Sequence, residues 1–217
     1  MENYILESAN YYDSENGLTI QRIISSYHGS NTYIIYKEPK DGVIVVDPGD
    51  PDISLLQNVL TSISGSILAV WLTHEHSDHC AGVNALYNWR KFDLFCSESC
   101  GHNIKNAKKN FSFYIDEINA FTVDTPNISL AHNQVLSFFS QKCTFYETPG
   151  HSEGSGCFLM DHVLFSGDTW MAEFKTPLNF PGSDKEAYKT SLDILSKCIK
   201  DHMVIFPGHG LPFRKKK

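Results

Sequence analysis

The segment Thr73-His74-Glu75-His76-Ser77-Asp78-His79 holds three histidines and an aspartate within six residues. It follows an apolar run at residues 67–72, which predicts a buried strand, so the segment is expected on the turn that leaves this strand. Neutral imidazole nitrogens and carboxylate oxygens are common ligands of divalent cations, and packing them this densely is costly unless a cation lies between them. The segment therefore predicts a metal site. Because Asp78 and His79 are adjacent and point apart, they suit two neighbouring metal positions better than one.

Four other predicted strands also end in turns that carry metal-competent side chains. The strands cover Val43–Val46 and residues 143–148, 163–165 and 203–206, and the side chains are Asp47, His151, Asp168 and His209. Strand ends at one edge of a sheet lie close together, so side chains that are distant in sequence converge there. Each Pro-Gly or Gly-Asp turn alone is a weak indication, since such turns are common. Together with the histidine cluster they favour one shared site over a polar loop that happens to contain histidine.

Composition and charge restrict the class of protein. The chain has 217 residues, 41% hydrophobic and 20% charged, which is typical of one globular domain over residues 1–217. A net charge of −7 argues against nucleic acid as a partner, because phosphate binding needs a basic surface. No apolar stretch approaches a membrane span and no leader segment is visible, so we expect no membrane association and a cytoplasmic location. The six cysteines are scattered and suggest reduced structural thiols, with Cys80 as a possible metal neighbour.

Apolar periodicity predicts an alternation of strands and helices. Strands are predicted at 18–25, 33–36, Val43–Val46, 67–72, 95–96, 135–139, 143–148, Gly156–Met160, 163–165 and 203–206. Helices are predicted at 53–63, 82–89, 98–105 and 185–200. The first helix would be capped by Asp52 and carry an apolar stripe formed by Leu55, Leu56, Val59, Leu60 and Ile63. Residues 106–130 have a poor pattern and are expected to form mainly loop that faces a substrate.

The sequence resembles the metallo-β-lactamase superfamily and, within it, the glyoxalase II branch of hydroxyacylglutathione hydrolases and their short relatives. The resemblance extends from about residue 18 to the end of the chain. Its motifs are residues 73–79, Val46-Asp47-Pro48-Gly49, Thr148-Pro149-Gly150-His151-Ser152, Phe165-Ser166-Gly167-Asp168-Thr169 and Phe206-Pro207-Gly208-His209-Gly210, with softer similarity at 108–112 and 180–183. It implies an α/β fold, an αββα sandwich in which two facing mixed β-sheets are flanked by helices.

The resemblance also implies how a dinuclear metal site would be divided. One ion would be held by His74, His76 and His151, and the second by Asp78, His79 and His209. Asp168 would bridge the two ions, and Asp47 would orient a ligand imidazole without being a ligand itself. Two zinc ions are the implied cofactor, with iron or manganese as possible substitutes. Among the remaining histidines, His28 has the best chance of lining the cleft.

The implied activity is hydrolysis of a small-molecule thioester or related acyl bond. Two divalent cations lower the pKa of a shared water so that it attacks as hydroxide, and Asp78 is the candidate to steer that water or to protonate the leaving group. Full-length glyoxalase II enzymes continue into a helical region that supplies basic residues to glutathione, whereas this chain stops eight residues after His209. We therefore expect no such glutathione anchor. Lys175 partly replaces an arginine of the family pattern, while Trp170 and Met171 either line the acyl pocket or pack in the core.

Two further functional hypotheses stay open at this point. The same ligand types suit iron, so an iron-dependent persulfide dioxygenase or a diiron redox protein is possible on the same scaffold. A non-catalytic metal-binding domain is the third hypothesis. Seven candidate ligands count against it, because a structural zinc site needs only four. The sequence predicts no oligomeric state.

Overall fold

Two seven-stranded β-sheets face each other in the computed structural model, which describes residues 4–5, 10–13, 17–63 and 65–214. The strands are β1 (Tyr4–Ile5), β2 (Asn10–Asp13), β3 (Leu18–Ile24), β4 (Asn31–Tyr36), β5 (Val43–Val46), β6 (Ile67–Trp71), β7 (Asp93–Ser97), β8 (Asn127–Leu130), β9 (Val135–Phe138), β10 (Gln141–Glu147), β11 (Gly156–Met160), β12 (Val163–Gly167), β13 (Val204–Pro207) and β14 (Phe213–Arg214). The helices are α1 (Ser54–Ile63), α2 (Ser77–Cys80), α3 (Val83–Trp89), α4 (Glu98–Asn103) and α5 (Lys185–Cys198), with 3-10 turns at Pro39–Asp41 and Ser112–Tyr114.

Both sheets are mixed. The order in the first sheet is β2-β3-β4-β5-β6-β7-β8, with parallel pairing from β5 through β8. The second sheet has the order β1-β14-β13-β12-β11-β10-β9, and only β12 and β13 pair in parallel. Since side chains alternate across a strand, each sheet has one face toward the other sheet and one face toward helices. In β5, Ile44 and Val46 point into the space between the sheets, and Val43 and Val45 point the other way.

Three apolar layers hold the architecture together. The central layer joins the two sheets, and in it Trp71 stacks on Phe158 with ring centroids 4.6 Å apart. The outer layer of the first sheet packs against α1, α3 and α4. On the second sheet, Leu195 of α5 and nearby Ile199 pack with Leu164 and Ile205. The layer order is therefore helix, sheet, sheet, helix, and the predicted αββα sandwich is confirmed.

The first helix shows why its segment folds as predicted, with one correction. Leu56, Leu60 and Ile63 recur at helical spacing and are buried against the first sheet. The Asp52 carboxylate accepts a hydrogen bond from the Ser54 backbone N–H at 3.0 Å, so it satisfies a free donor of the first turn as expected. Leu55 does not belong to the buried stripe, because 57% of it is exposed.

The remaining differences are short or peripheral elements. Residues 106–130 are not all loop, because β8 lies at their end and pairs in parallel with β7. The strands β1, β2 and β14 and the four-residue helix α2 were not predicted either. Each is too short to show a hydrophobic period, and β8 is an edge strand with two exposed residues. Among the described residues, no helix has the length and apolar character needed to cross a membrane.

Candidate metal centre

Five strands deliver their last residues to one edge of the sandwich. In the first sheet β5 leads to Asp47 and β6 leads to residues 73–79, and the Asp47 backbone N–H donates to the Trp71 carbonyl at 2.9 Å. In the second sheet β10 leads to His151, while β12 and β13 lead to Asp168 and His209. The parallel pairs β5–β6 and β12–β13 have their carboxyl ends at the same edge, so the turns after them meet across the two sheets.

One group of ligating atoms belongs to His74, His76 and His151, whose nitrogens lie within 4.8 Å of one another. His151 Nδ1 lies 2.9 Å from the Pro177 carbonyl oxygen. A carbonyl only accepts, so Nδ1 carries the proton and Nε2 has a free lone pair. That lone pair faces His76 Nδ1 at 3.0 Å. The Pro177 carbonyl thus sets the tautomer that a metal ligand requires.

A second group belongs to Asp78, His79 and His209, again within 4.8 Å. His209 Nε2 lies 3.1 Å from Asp78 Oδ2, and His79 Nε2 lies 3.5 Å from the same oxygen. Asp78 and His79 come from α2, the short helix that begins directly after His76. Consecutive residues of this single turn therefore point a carboxylate and an imidazole toward the same group, and the expectation that Asp78 and His79 point apart is wrong, because they share one helical turn.

Asp168 lies between the two groups. Its Oδ2 is 3.5 Å from His151 Nε2 and 3.7 Å from His209 Nε2, and its Oδ1 is 3.6 Å from His79 Nε2. Gly208 makes this approach possible, because a Cβ at that position would collide with Asp168 Oδ1. The carboxylate is thus placed where it can reach a cation in either group.

The Asp47 carboxylate orients two imidazoles, that of His79 directly and that of His74 through the Thr73 hydroxyl. It adopts a left-handed backbone conformation with φ of 49°, which aspartate tolerates better than most residues. Its carboxylate accepts the Thr73 N–H at 2.8 Å and the Thr73 hydroxyl at 2.6 Å, and its Oδ2 is 3.1 Å from His79 Nδ1. Because the Thr73 hydroxyl donates to Asp47, it accepts from His74 Nδ1 at 3.0 Å. These contacts place the proton of each neutral imidazole on Nδ1 and leave Nε2 as the nitrogen that can bind a cation. Asp47 also lies within 4.8 Å of His74 and His79, but these hydrogen bonds already engage its oxygens.

Unpaired buried atoms test whether the centre fits a metal. Within the described part of the chain, His74 Nε2, His79 Nε2 and Asp168 Oδ1 are buried without a hydrogen-bond partner. Such atoms are rare in folded proteins, because burying an unpaired polar group is costly. His79 Nε2 and Asp168 Oδ1 lie 3.6 Å apart, and His74 belongs to the adjoining histidine group. Nitrogen and carboxylate oxygen donors around a shared volume fit one or more divalent cations.

The side chains also adjust one another's protonation. Burial lowers the pKa of His74 and of His76 well below the usual histidine value, which keeps both imidazoles neutral. Burial acts the same way on His79, but the carboxylates of Asp78 and Asp168 overcome it and raise the pKa of His79 to about 10. Burial raises the pKa of Asp78, yet His79 and His209 lower it below its usual range in sum. Asp78 is therefore an anion at neutral pH.

A cavity of about 1020 Å³ opens onto the centre. His28 and Met171 line it, and so does Lys175. Trp170 packs on the other side of the second sheet, where its ring lies 6.3 Å from that of Phe213. Residues 106–130 were expected to face a substrate, and Phe111 and Tyr114 of that stretch line the cavity, although neither was singled out from the sequence; Phe174 and Phe180, which also line it, were not predicted to do so. The dense aromatic run at residues 111–114, within an otherwise polar stretch, was the available signal.

Glu75 is a buried carboxylate that the sequence left without a role. It accepts hydrogen bonds from the Ser152 hydroxyl and from Asn103 Nδ2, each at 2.9 Å. It therefore joins the segment that carries His74 and His76 to the loop that carries His151. Cys80 is buried too and donates its thiol to the Glu75 carbonyl at 3.3 Å, so its contact is with the backbone.

Sequence similarity agrees with this class of protein, an αββα sandwich with a candidate metal centre at one edge. The sequence profile of the metallo-beta-lactamase superfamily matches residues 27–209 of the chain. The match covers both histidine groups, Asp47 and Asp168. The chain therefore belongs to the metallo-beta-lactamase superfamily.

The names of two relatives indicate a general class of function. Over 178 residues the chain is 28% identical to PksB of Bacillus subtilis, a probable polyketide biosynthesis zinc-dependent hydrolase, covering 82% of this chain and 72% of PksB. Over 188 residues it is 27% identical to the hydroxyacylglutathione hydrolase of Shewanella halifaxensis, covering 86% of this chain and 64% of that protein. The chain thus spans less than two thirds of this second relative. These similarities support a hydrolase with a metal cofactor.

Solved structures share the fold. The B3 metallo-beta-lactamase BLEG-1 superposes with a TM-score of 0.81 at 24% identity, covering 89% of this chain and 92% of that one. A protein crystallised in a di-iron-bound form, TTHA1623, gives a TM-score of 0.77 at 22% identity, with 89% and 93% covered. At such identities the likeness concerns the fold alone, and proteins of this fold include one with iron.

Proposed function

We propose that this chain is a hydrolase that holds two zinc ions and cleaves a thioester or a related acyl bond of a small molecule. The observation that carries the proposal is the presence of unpaired buried donors in two adjacent ligand groups that border an open cavity. A structural zinc site is closed by four ligands, whereas this centre has more donors and an open side. Such an arrangement suits a substrate that approaches the metals directly.

The residues would divide the work as follows. His74, His76 and His151 would hold one ion, Asp78, His79 and His209 would hold the other, and Asp168 would reach both. When bound, the ions supply Lewis-acid chemistry: they lower the pKa of water and polarise a carbonyl group. Buried imidazoles with fixed tautomers cost little reorganisation on binding, because Thr73, Asp47 and Pro177 already hold them.

Asp78 is the group that we assign to substrate chemistry as well as to metal binding. Its side chain is 18% exposed and lines the cavity, whereas Asp168 is 8% exposed. A carboxylate at this position can accept a hydrogen bond from an attacking water and hold it near the carbonyl carbon of the substrate. A thiolate leaving group needs little assistance from an acid, because thiols have low pKa values. Thioesters are therefore the acyl substrates that require the least acid catalysis from this centre.

Thiol release tests the proposal. Zinc-loaded protein is incubated with S-lactoylglutathione and with simple acyl thioesters, and free thiol is measured. We expect turnover in the wild type, and a loss of about 100-fold or more in His76→Ala and in Asp168→Ala. His202→Ala is the matched control, because His202 is exposed and precedes β13 at the end opposite His209.

Two results would contradict the proposal. One is zinc-loaded wild-type protein that releases no thiol from any member of the panel. The other is iron-loaded protein that consumes oxygen with glutathione persulfide, which would favour the oxidative alternative on the same fold. Thiol release that survives His76→Ala would instead show that the site residues are wrongly assigned.

A further inference from the structure

The two ends of the cavity differ in chemistry. At the His76 and His151 end stand two phenylalanine rings, those of Phe111 and Phe180. The centroid of the Phe111 ring is 4.7 Å from that of His76, and the Phe180 ring is 5.8 Å from His76 and 6.2 Å from His151. The two phenylalanine rings are themselves 5.6 Å apart. We name this pair, Phe111 and Phe180, the aromatic clamp.

The position of Phe111 is fixed by its own backbone and by a buried neighbour. Phe111 has a left-handed φ of 66°, which is strained for a bulky residue and persists only where the surroundings impose it. Asn110 imposes it here: its side chain is fully buried, donates to the Phe121 carbonyl at 2.9 Å and accepts the Ser112 N–H at 2.9 Å. The hydrogen bonds of the Asn110 side chain therefore fix the backbone on both sides of Phe111.

Phe180 is tied to the loop that carries His151. The Ser183 N–H donates to the Phe180 carbonyl at 3.0 Å, and the Ser183 hydroxyl donates to the His151 carbonyl at 2.7 Å. Phe180 is 43% exposed, which is a high fraction for a phenylalanine. Two fixed and partly exposed rings over one end of a candidate active centre form an apolar surface that a ligand can cover.

Apart from the Phe174 ring, which lies beside Gly210, the other end of the cavity is polar. His28, Gly29 and Gly210 line it beside His209 and offer an imidazole and backbone groups. Gly210 has its carbonyl held by Arg22 Nη1 at 2.7 Å and by Asn31 Nδ2 at 2.8 Å, so this rim is also ordered. A substrate with one apolar and one polar arm across its reacting carbonyl matches this division.

We infer that the aromatic clamp is the acyl-binding subsite, and that it selects thioesters whose acyl group is an apolar chain of several carbons or carries an aromatic ring. The inference rests on the proposed hydrolase function and specifies its substrate class. The acyl arm lies against Phe111 and Phe180, and the thiol arm lies toward His28 and Gly210. An acetyl group is too short to cover the two rings, so it gains little from this surface.

Kinetics with two substrate series test the subsite. In the first series one leaving thiol, N-acetylcysteamine, carries acetyl, butanoyl, hexanoyl and phenylacetyl groups; in the second, hexanoyl is carried by three thiols of different length. Wild-type kcat/KM is expected to rise about tenfold or more from acetyl to hexanoyl. Phe180→Ala should remove most of this rise and leave the dependence on the thiol unchanged, and Phe180→Leu should restore part of it.

The chain offers a matched control. Phe113 lies in the 3-10 turn that follows Phe111 and is 56% exposed, but it is not among the described residues that line the cavity. Phe113→Ala should keep the wild-type preference for long acyl groups. A preference that Phe113→Ala and Phe180→Ala reduce equally would overturn the inference, and so would a Phe180→Ala effect on the thiol series alone.

A binding measurement separates failure of the subsite from failure of the proposed function. Hexanoate and acetate, the carboxylate products, are titrated calorimetrically into zinc-loaded protein without any need for turnover. We expect hexanoate to bind about tenfold more tightly, and Phe180→Ala to abolish the difference. Equal affinity in the wild type would overturn the subsite even if thioesters are hydrolysed. Tighter binding of hexanoate without hydrolysis would leave the subsite standing and overturn the hydrolase.

Discussion

Asp47 illustrates how one side chain that is not assigned as a ligand sets the state of the centre. Its oxygens accept from the Thr73 N–H, from the Thr73 hydroxyl and from His79 Nδ1. Every one of these contacts requires an acceptor, so an ionised carboxylate suits the position better than any neutral isostere. In the neutral imidazole, the carboxylate keeps the proton of His79 on Nδ1 and the lone pair on Nε2, the nitrogen that faces Asp168.

Replacing Asp47 with asparagine should therefore weaken metal binding without removing a ligand. The amide would present N–H groups to the Thr73 hydroxyl and to His79 Nδ1, and the His79 proton would shift to Nε2. We expect metal affinity to fall about 10- to 100-fold, measured by competition with a chromogenic chelator. Asp52→Asn is the control, because Asp52 lies in the loop after the same strand and is exposed. Wild-type affinity in Asp47→Asn would refute the assigned role.

At this scale, the sequence indicated which side chains meet but not how they are oriented. The motif residues are all brought together, because each directly follows a strand whose end is recognisable. Phe111, Phe180 and Glu75 were not predicted, since their positions depend on tertiary contacts with Asn110, Ser183 and Ser152. A strained φ at a phenylalanine leaves no signature in the sequence.

The cysteines give a prediction about reactivity and pH. Burial raises the pKa of Cys157 to about 12 and raises the pKa of Cys80, Cys100 and Cys143 as well. The thiolate is the reactive form, so raising the pH from 7 to 9 should not recruit these buried groups. In the native protein only Cys198, which is half-buried, should react with a chromogenic disulfide reagent, and six thiols should react after denaturation.

Cys198→Ser provides the check on this count. The rapidly reacting fraction should disappear in that variant, while the denatured count falls to five. Two or more thiols reacting in the folded wild type at pH 8 would show that the sandwich is more open than the structure describes.

Among the elements, α1 shows that forming a helix and packing against a sheet are separate properties of a sequence. Leu60 is fully buried against the first sheet, whereas Leu55 on the same helix is 57% exposed. Periodicity alone placed both residues on one stripe, because Leu55 and Leu56 are adjacent and either fits an apolar face within the tolerance of the pattern. Packing against the first sheet determines which of the two leucines is buried, and the sequence of the helix alone does not specify that packing.

The two leucines should consequently differ in their effect on stability. Leu60→Ala is expected to lower the free energy of unfolding by about 2–5 kcal/mol, because it leaves a cavity in a close-packed layer. Leu55→Ala should stay within about 0.5 kcal/mol of wild type. Urea denaturation at one fixed metal concentration measures both. Equal effects would mean that α1 does not pack on the sheet through this face.

Strand prediction succeeded where burial is two-sided and failed at the edge strands β1, β2 and β8, whereas the edge strand β9 was predicted. The bounds of β5 and β11 are those predicted, because each is a short apolar run enclosed by turn residues. Strand β8 exposes two of its four residues and depends on pairing with β7 for its conformation. The local sequence of β8 therefore specifies its strand conformation only in part, since the partner strand supplies the rest.

On the scale of the whole molecule, each histidine group joins the two sheets. His74 and His76 follow β6 of the first sheet, and His151 follows β10 of the second. Asp78 and His79 likewise meet His209, which follows β13. A cation in either group would therefore connect the two halves of the sandwich, and binding free energy would become folding free energy.

Metal removal should thus destabilise the entire fold. With free zinc at about 100 times its dissociation constant, the linkage contribution is about 2.7 kcal/mol for each site. A thermal scan with zinc and with a chelator should show one cooperative transition that shifts to lower temperature on chelation. Unchanged melting temperature would contradict a metal site that spans both sheets.

The fold was predictable because the chain follows consistent rules at several levels, namely alternating apolar strands, strand-end turns and a capped helix. The arrangement of the two sheets was inferred from family resemblance, since strand order cannot be derived from local pattern. The substrate was not predictable, because specificity depends on the surface of one cavity and on residues 106–123 and 176–183 that border it.

Zinc-edge anomalous diffraction from crystals of the zinc-loaded protein tests the central claim most directly. We predict two peaks, one among His74, His76 and His151 and one among Asp78, His79 and His209, with Asp168 in contact with both. A single peak, a peak elsewhere, or Asp168 turned away from the metal positions would contradict it.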